Sequence, residues 1–172
     1  MELFVNGKSQ GVKRKDIDNL HVAWRVKFEP GTVKVIARES GKVVAVKEIC
    51  TAGKPAEIRL TPDRSILTAD GKDLCFVTVE VLDEKGNLCP DADNLVNFTV
   101  QGNGFIAGVD NGKPVSMERF KDEKRKAFNG KCLVVIQNDG KPGTATSKAD
   151  GYFRGTSASC TKDFGRGIVN CK

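Results

Sequence analysis

Alternation of apolar and polar residues with a period of two recurs along almost the whole chain. The clearest case is the segment 74–82, which is mostly β-branched or aromatic. A period of two places successive side chains on opposite faces of a strand. Sustained helical periodicity is absent, since the best helix candidate, 117–128, has few apolar residues at helical spacing and many charges. The pattern therefore predicts an all-β protein.

Turn signals separate the predicted strands. Glu29-Pro30-Gly31, Ser40-Gly41 and Asn129-Gly130 have the residue types that tight turns require. The first three predicted strands follow one another closely and are expected to form an antiparallel meander. The predicted strands are 21–28, 32–38, 43–49, 56–60, 74–82, 95–100, 105–109, 131–137 and 144–149.

Short strands spaced about 8 to 12 residues apart favour a β-sandwich. The stretch Thr51-Ala52-Gly53-Lys54-Pro55 predicts a boundary between residues 1–55 and residues 56–172. The second part is long enough for one immunoglobulin-like sandwich, which needs about 100 residues. The first part offers only about four strands, too few for a closed two-sheet core. We therefore expect immunoglobulin-like β-sandwich domains, one partial and N-terminal, one complete and C-terminal.

Length and charge exclude several classes of function. A (β/α)₈ barrel typically needs about 250 residues, and the chain has 172. No apolar run approaches the roughly 20 residues that span a bilayer, and the segment after Met1 lacks the signal-peptide pattern. The net charge of +6 raises nucleic-acid binding as a hypothesis, but Lys and Arg are spread along the chain. The densest cluster, 121–126, includes Asp122 and Glu123, so we expect a solvated surface and no nucleic-acid partner.

The cysteines predict no metal site. They do not form a C-x-x-C pair, and His21 is the only histidine. Cys75 and Cys132 lie within apolar alternations and are expected to be small buried hydrophobic residues. Cys160 and Cys171 form either a local disulfide or two free thiols.

Catalytic patterns are absent as well. With only His21 available as an imidazole base, a His-based triad has little support, and no G-x-S-x-G, phosphate loop or dinucleotide fingerprint occurs. Trp24 and Phe28 could stack on sugars, but their alternation favours core packing. No catalytic, ligand-binding or metal residue and no cofactor is predicted. Acids next to turns are expected to accept hydrogen bonds from the backbone; they are Asp70, Asp83, Glu84, Asp110 and Asp139.

Two sets of segments, one within residues 2–53 and one within residues 56–149, follow the order of motifs of one enzyme family. They resemble the C-terminal modules of bacterial glycoside hydrolase family 2 enzymes of the β-galactosidase type. Segments 2–9, 24–31 and 51–53 resemble the non-catalytic β-sandwich module that follows the catalytic barrel. Segment 56–149 resembles the last, immunoglobulin-like module. No stretch matches the barrel, on which the family's catalytic acid and nucleophile lie. The motifs that carry the second likeness are 58–60, 67–74, 77–81, 83–87, 108–112 and 127–131.

The resemblance implies a non-catalytic accessory region that supports the catalytic barrel of a carbohydrate-degrading enzyme exported to the periplasm or cell surface. The alternative is a carbohydrate-binding or adhesive immunoglobulin-like module, in which Trp24, Phe105 and Phe120 would stack on sugars. The family's first module normally begins with strands upstream of residue 2. A partial sheet is therefore expected to leave an unpaired edge, which is a template for a homodimer.

Overall fold

The computed structural model describes residues 1–15 and 21–151 and, for the backbone alone, residues 157–165. These residues form strands without any helix, and every ladder is antiparallel except that between β13 and β6, so the all-β prediction is confirmed. The strands are β1 (Glu2–Val5), β2 (Lys8–Val12), β3 (Thr32–Glu39), β4 (Lys42–Cys50), β5 (Glu57–Pro62), β6 (Ile66–Thr68), β7 (Leu74–Leu82), β8 (Leu95–Gly102), β9 (Gly104–Asp110), β10 (Lys124–Lys126), β11 (Lys131–Asn138), β12 (Gly143–Gly151) and β13 (Ser157–Gly165).

The chain divides into two compact units, Met1–Thr51 and Ala52–Lys172. The first unit contains one four-stranded sheet in the order β2-β1-β3-β4. Asn6 and Gly7 have φ angles of 48° and 78°, which are typical of the two-residue turn that joins β1 to β2. Strand β1 carries the buried side chains of this sheet, whereas β4 forms an edge and is exposed along its whole length.

The predicted strand at 21–28 is wrong. This segment lies outside every strand, and His21 and Phe28 are exposed while Trp24 is half-buried. The place beside β3 that a meander would give to this segment is taken by β1, and β4 pairs on the other side of β3. The expected three-stranded meander is therefore a β3–β4 hairpin with the β1–β2 hairpin beside it. Neither β1 nor β2 was predicted as a strand, although Asn6-Gly7 marks their turn.

The second unit is a β-sandwich. A five-stranded sheet in the order β10-β8-β12-β13-β6 packs on a four-stranded sheet in the order β5-β7-β11-β9. The inward-facing positions of both sheets supply the main core, as the alternation predicts for strands with one buried face. A smaller buried cluster contains Val81, Cys89, Ala92 and Ala127. The buried residues of the main core are Ile58, Leu67, Cys75, Val77, Val79, Val96, Phe98, Val109, Cys132, Val134, Ile136, Ala145 and Ala149.

Two cysteine predictions have different outcomes. Cys75 and Cys132 are buried in the sandwich core, as predicted. Burial raises the pKa of the Cys132 thiol to about 12, so this thiol stays protonated and unreactive near neutral pH. The side chains of Cys160 and Cys171 lie outside the described residues, and the choice between a disulfide and free thiols stays a prediction.

The strand predictions in the second unit agree closely with the structure. Strand β7 has the predicted bounds, and β5, β8, β9, β11 and β12 each overlap a predicted strand. The short strands β6 and β10 and the last strand, β13, were not predicted. With only three residues each, β6 and β10 are too short to show an alternation.

Candidate functional site

Arg125 on β10 is a buried polar side chain with several hydrogen-bond partners in the second unit. Its side chain is 1% exposed, so the prediction of a solvated surface at 121–126 is wrong for this residue. Its neighbours Lys124 and Lys126 are exposed, whereas Ala127 is buried. No sequence signal marks the inward direction of the arginine, because Lys124, Arg125 and Lys126 are all charged.

The Arg125 guanidinium joins the two ends of one long loop. Its Nη2 donates to Asp110 Oδ1 and to Asn111 Oδ1, each at 3.2 Å. Its Nη1 donates to the backbone oxygen of Glu118 at 3.1 Å, and the guanidinium carbon lies 5.2 Å from the centroid of the Phe120 ring. We call residues 111–123 the Arg125-anchored loop.

Further bonds fix the path of this loop. Glu118 Oε1 accepts the backbone N–H of Lys126 at 3.1 Å, and Glu118 Oε2 accepts the Ser116 hydroxyl at 3.2 Å. The same Oε2 lies 3.7 Å from Arg125 Nε. The backbone oxygen of Phe120 accepts the N–H of Val109 at 2.7 Å, which ties the loop to β9. A buried charge with several partners thus holds the loop in one conformation.

The loop presents apolar side chains to solvent. Val115, Met117 and Phe120 are 77%, 97% and 64% exposed. An open cleft of about 480 Å³ lies beside the loop, and its walls include Asp91, Asp93, Val115 and Met117. Large apolar side chains grouped on an exposed loop mark an interaction surface more often than isolated ones do. The exposed cations on or next to the loop are Lys113, Arg119, Lys121, Lys124 and Lys126.

The carboxylates next to turns organise the backbone, as predicted. Asp83 accepts the N–H groups of Gly53, Lys85 and Asn87 at 2.8 to 2.9 Å. These bonds, that from Gly53 first, hold the pKa of Asp83 well below its usual range. Backbone N–H groups likewise donate to the side chains of Asp70, Asp110 and Asp139.

The aromatic residues considered for stacking on sugars differ in their exposure and in their neighbours. The Lys13 amine lies 5.6 Å from the centroid of the half-buried Trp24 ring, and Arg125 lies over the Phe120 ring. Phe28 is 76% exposed, so the prediction that it packs in a core is wrong. Phe105 on β9 is exposed and lines a groove of about 740 Å³.

Metal-binding and membrane-spanning features were sought in the part of the chain that the structure describes. There, no group of three or more His, Cys, Asp or Glu side chains is arranged to hold a metal ion. The same residues contain no helix that is long and apolar enough to cross a bilayer.

Comparison with known proteins places this architecture in a family. Residues 58–152, more than half of the chain, match the model "Glycoside hydrolase family 2 C-terminal domain 5", and residues 1–45 match a domain of unknown function, DUF4982. Beta-galactosidase BoGH2A from Bacteroides ovatus is 93% identical over 152 residues, which cover 86% of this chain and 18% of that protein. The chain belongs to glycoside hydrolase family 2 and corresponds to a C-terminal region of such an enzyme.

Two more distantly related proteins also match this chain. A putative beta-glucuronidase from Formosa agariphila is 33% identical over 144 residues, covering 80% of this chain and 14% of that protein. The crystal structure of a glycosyl hydrolase family 2 member from Bacteroides cellulosilyticus superposes with a TM-score of 0.86 at 33% identity, over 96% of this chain and 21% of that chain. The chain therefore spans about a fifth, or less, of the length of these relatives, and the family resemblance seen in the sequence is confirmed.

Proposed function

We propose that this chain is the non-catalytic C-terminal accessory region of a family 2 glycosidase that acts on β-galactosides, and that it supports the catalytic barrel. The observation that carries the proposal is the 93% identity to a beta-galactosidase over 152 residues. In this proposal, residues 1–55 are a partial β-sandwich module next to the barrel, and residues 56–172 are the immunoglobulin-like module. The partner is the catalytic barrel of the same enzyme.

The chemistry of the acids supports a non-catalytic role. Glycoside hydrolysis in most families uses two carboxyl groups, one of them a proton donor whose pKa is raised by its surroundings. In this chain, hydrogen bonds lower the pKa of Asp70 and Asp83, the first mainly through the Lys72 N–H and the second mainly through the Gly53 N–H. Both groups are fixed anions that shape turns, which is the opposite of what a general acid needs.

An activity assay tests the proposal. The isolated chain is incubated with nitrophenyl β-galactoside, with Beta-galactosidase BoGH2A as the positive control. We expect no release of nitrophenol above the uncatalysed background. Turnover that persists after repurification of the chain, and that disappears on heat denaturation, would overturn the non-catalytic role.

A second candidate, carbohydrate binding, is favoured by the groove at Phe105. An exposed aromatic ring supplies a stacking surface, and Asp122, Glu123 and Gln137 line the same groove with groups that bind hydroxyls. Titration calorimetry with galactan oligosaccharides tests it, with Phe105→Ala as the variant and Phe28→Ala as the exposed aromatic control. Heat that is lost only in Phe105→Ala supports binding in this groove, and no heat in the parent chain rejects it.

The edge strand β4 supports the further proposal of a homodimer. Strand β4 lies at the end of its sheet, and its Val43, Val46 and Ile49 side chains are exposed. An exposed apolar edge is a template for pairing with another strand. Lys42 and Lys47, which also lie on β4, act against such pairing. Light scattering over a concentration series tests the dimer, and a constant monomer mass at the highest concentration contradicts it.

A further inference from the structure

The Arg125-anchored loop combines exposed apolar side chains with a buried arginine at its base. Its tip exposes Val115, Met117 and Phe120 to solvent, which costs free energy in an isolated molecule. Its base contains a buried guanidinium with charged and backbone partners. Arg125 is buried, whereas its carboxylate partners Asp110 and Glu118 are partly exposed. An ion pair with a buried member adds little net stability compared with apolar packing but can specify one conformation. The loop is therefore held rigidly in a shape that keeps its apolar tip outside the sandwich.

We infer that the tip of the Arg125-anchored loop is a docking surface for the catalytic part of the longer family 2 enzyme. This inference rests on the proposed accessory function and names the surface by which the region would support its partner. The partner that would cover the tip is inferred from the length of a relative. The matched region is only 18% of Beta-galactosidase BoGH2A, and most of that enzyme lies outside it. A preorganised apolar tip binds without the entropic cost of ordering a mobile loop.

The charges near the tip are of both signs. Lys113, Arg119 and Lys121 on the loop are exposed, and the exposed Asp91 and Asp93 line the cleft beside Val115 and Met117. The catalytic part is therefore expected to offer an apolar recess for Met117 with polar side chains of both charges at its edge.

Oxidative footprinting of Met117 tests the docking surface directly. The matched region of Beta-galactosidase BoGH2A is exchanged for the corresponding residues of this chain, and the chimera and the isolated chain are exposed to hydroxyl radicals. We expect Met117 to react at least about tenfold more slowly in the chimera, because the centre of an interface excludes water. The exposed Phe105 on β9 serves as the reference probe, and its reaction rate should change much less than that of Met117.

The outcomes separate this inference from the proposed function. Equal reactivity of Met117 in the chimera and the isolated chain overturns the docking surface, even if the chimera hydrolyses β-galactosides. Protection of Met117 in the isolated chain that grows with concentration also overturns it and identifies a second copy as the occupant. Activity in the isolated chain overturns the accessory function instead.

A loop variant gives an independent readout. Val115→Ser, Met117→Ser and Phe120→Ser are combined in the chimera, with Phe105→Ser as the matched control at an exposed aromatic position. The triple variant is expected to lower the unfolding temperature of the chimera more than that of the isolated chain, because its side chains are buried only in the docked state. An equal decrease in both proteins contradicts docking and assigns the three residues a role within the sandwich.

Discussion

The two units of the chain carry the same alternation of apolar and polar residues but bury it to very different extents. In β7 of the second unit, Val77, Val79 and Val81 are fully enclosed. In β3 of the first unit, Val33, Val35 and Ala37 have the same spacing, but Val33 is exposed and the other two are only half-buried. The second unit has a facing sheet and the first is one sheet. A period of two thus predicts a strand and the face that can be buried, whereas burial itself requires a second layer.

The sharpest test of this difference compares two phenylalanines. Phe98 is 3% exposed in the sandwich core, and Phe28 is 76% exposed in the first unit. We expect Phe98→Ala to lower the free energy of unfolding by about 3–5 kcal/mol, because it leaves a cavity in a close-packed interior. Phe28→Ala should change it by no more than about 0.5 kcal/mol.

Two signals separate the units in this experiment. Trp24 is the only tryptophan and lies in the first unit, so its fluorescence reports on that unit, while circular dichroism reports on both. Phe98→Ala should shift the dichroism transition and leave the fluorescence transition in place. Similar losses in the two variants would show that an exposed aromatic side chain outside the strands of the first unit is as important for stability as the sandwich core.

Arg125→Met tests whether the buried guanidinium stabilises the second unit. The variant removes the bonds to Asp110, Asn111 and Glu118 but retains an apolar stem. We expect a loss of about 2 kcal/mol in urea denaturation, less than for a fully buried pair because both carboxylates remain partly hydrated. Lys124→Met, the exposed neighbour, should change stability by no more than about 0.5 kcal/mol. A neutral Arg125→Met would mean that the loop is held by its backbone bonds alone.

Strands with strong alternation could be predicted from the sequence, and those that depend on distant partners could not. Strand β7 has the predicted bounds because its pattern and β-branched composition agree. The segment 21–28 shows the same alternation but lies outside the strands, and β1 takes the place beside β3 that a meander would give to it. Pairing depends on residues far apart in the sequence, which a local period does not encode.

The buried polar side chains that hydrogen-bond to the backbone were the hardest residues to predict from the sequence. Asn138 lies just beyond the predicted strand 131–137, yet it is fully buried at the end of β11, where its Oδ1 accepts the Gly71 and Gly140 N–H groups. Its Nδ2 donates to the backbone oxygen of Thr68 at 2.8 Å. The same holds for Arg125, whose charged neighbours suggested solvent. Burial of such residues depends on backbone groups that only the folded chain brings together.

Acid stability tests the role of Asp83 in the second unit. Hydrogen bonds, that from the Gly53 N–H first, hold its pKa in the folded chain below the unfolded value of about 3.9. Its contribution to stability is therefore present above that unfolded value and is lost as the pH falls towards the folded pKa. Asp83→Asn should lower the urea midpoint near neutral pH, because an amide nitrogen would face an N–H donor in either orientation.

The matched control for this experiment is Asp139→Asn. Asp139 Oδ1 accepts the Lys141 N–H at 3.0 Å, a bond that an amide oxygen can keep. The difference between the parent chain and Asp83→Asn should shrink when the midpoint is measured at about pH 3 instead of near neutral pH. A difference that is the same at both values would show that Asp83 acts through shape and not through its charge.

The smallest expected effect concerns the β3–β4 turn of the first unit. Ser40 has a φ of 48° and Gly41 a φ of 83°, the conformation of a two-residue hairpin turn. Asn adopts positive φ more readily than Ser, and the chain places Asn at the equivalent position of two other turns, at Asn6 and Asn129. Ser40→Asn should therefore stabilise the first unit by about 0.5 kcal/mol, measured by the fluorescence of Trp24 in urea.

Asn129→Ser is the reciprocal control in the second unit, and it should destabilise the sandwich by a similar amount without changing the fluorescence transition. If Ser40→Asn has no effect while Asn129→Ser does, turn geometry limits the stability of the sandwich but not that of the open sheet.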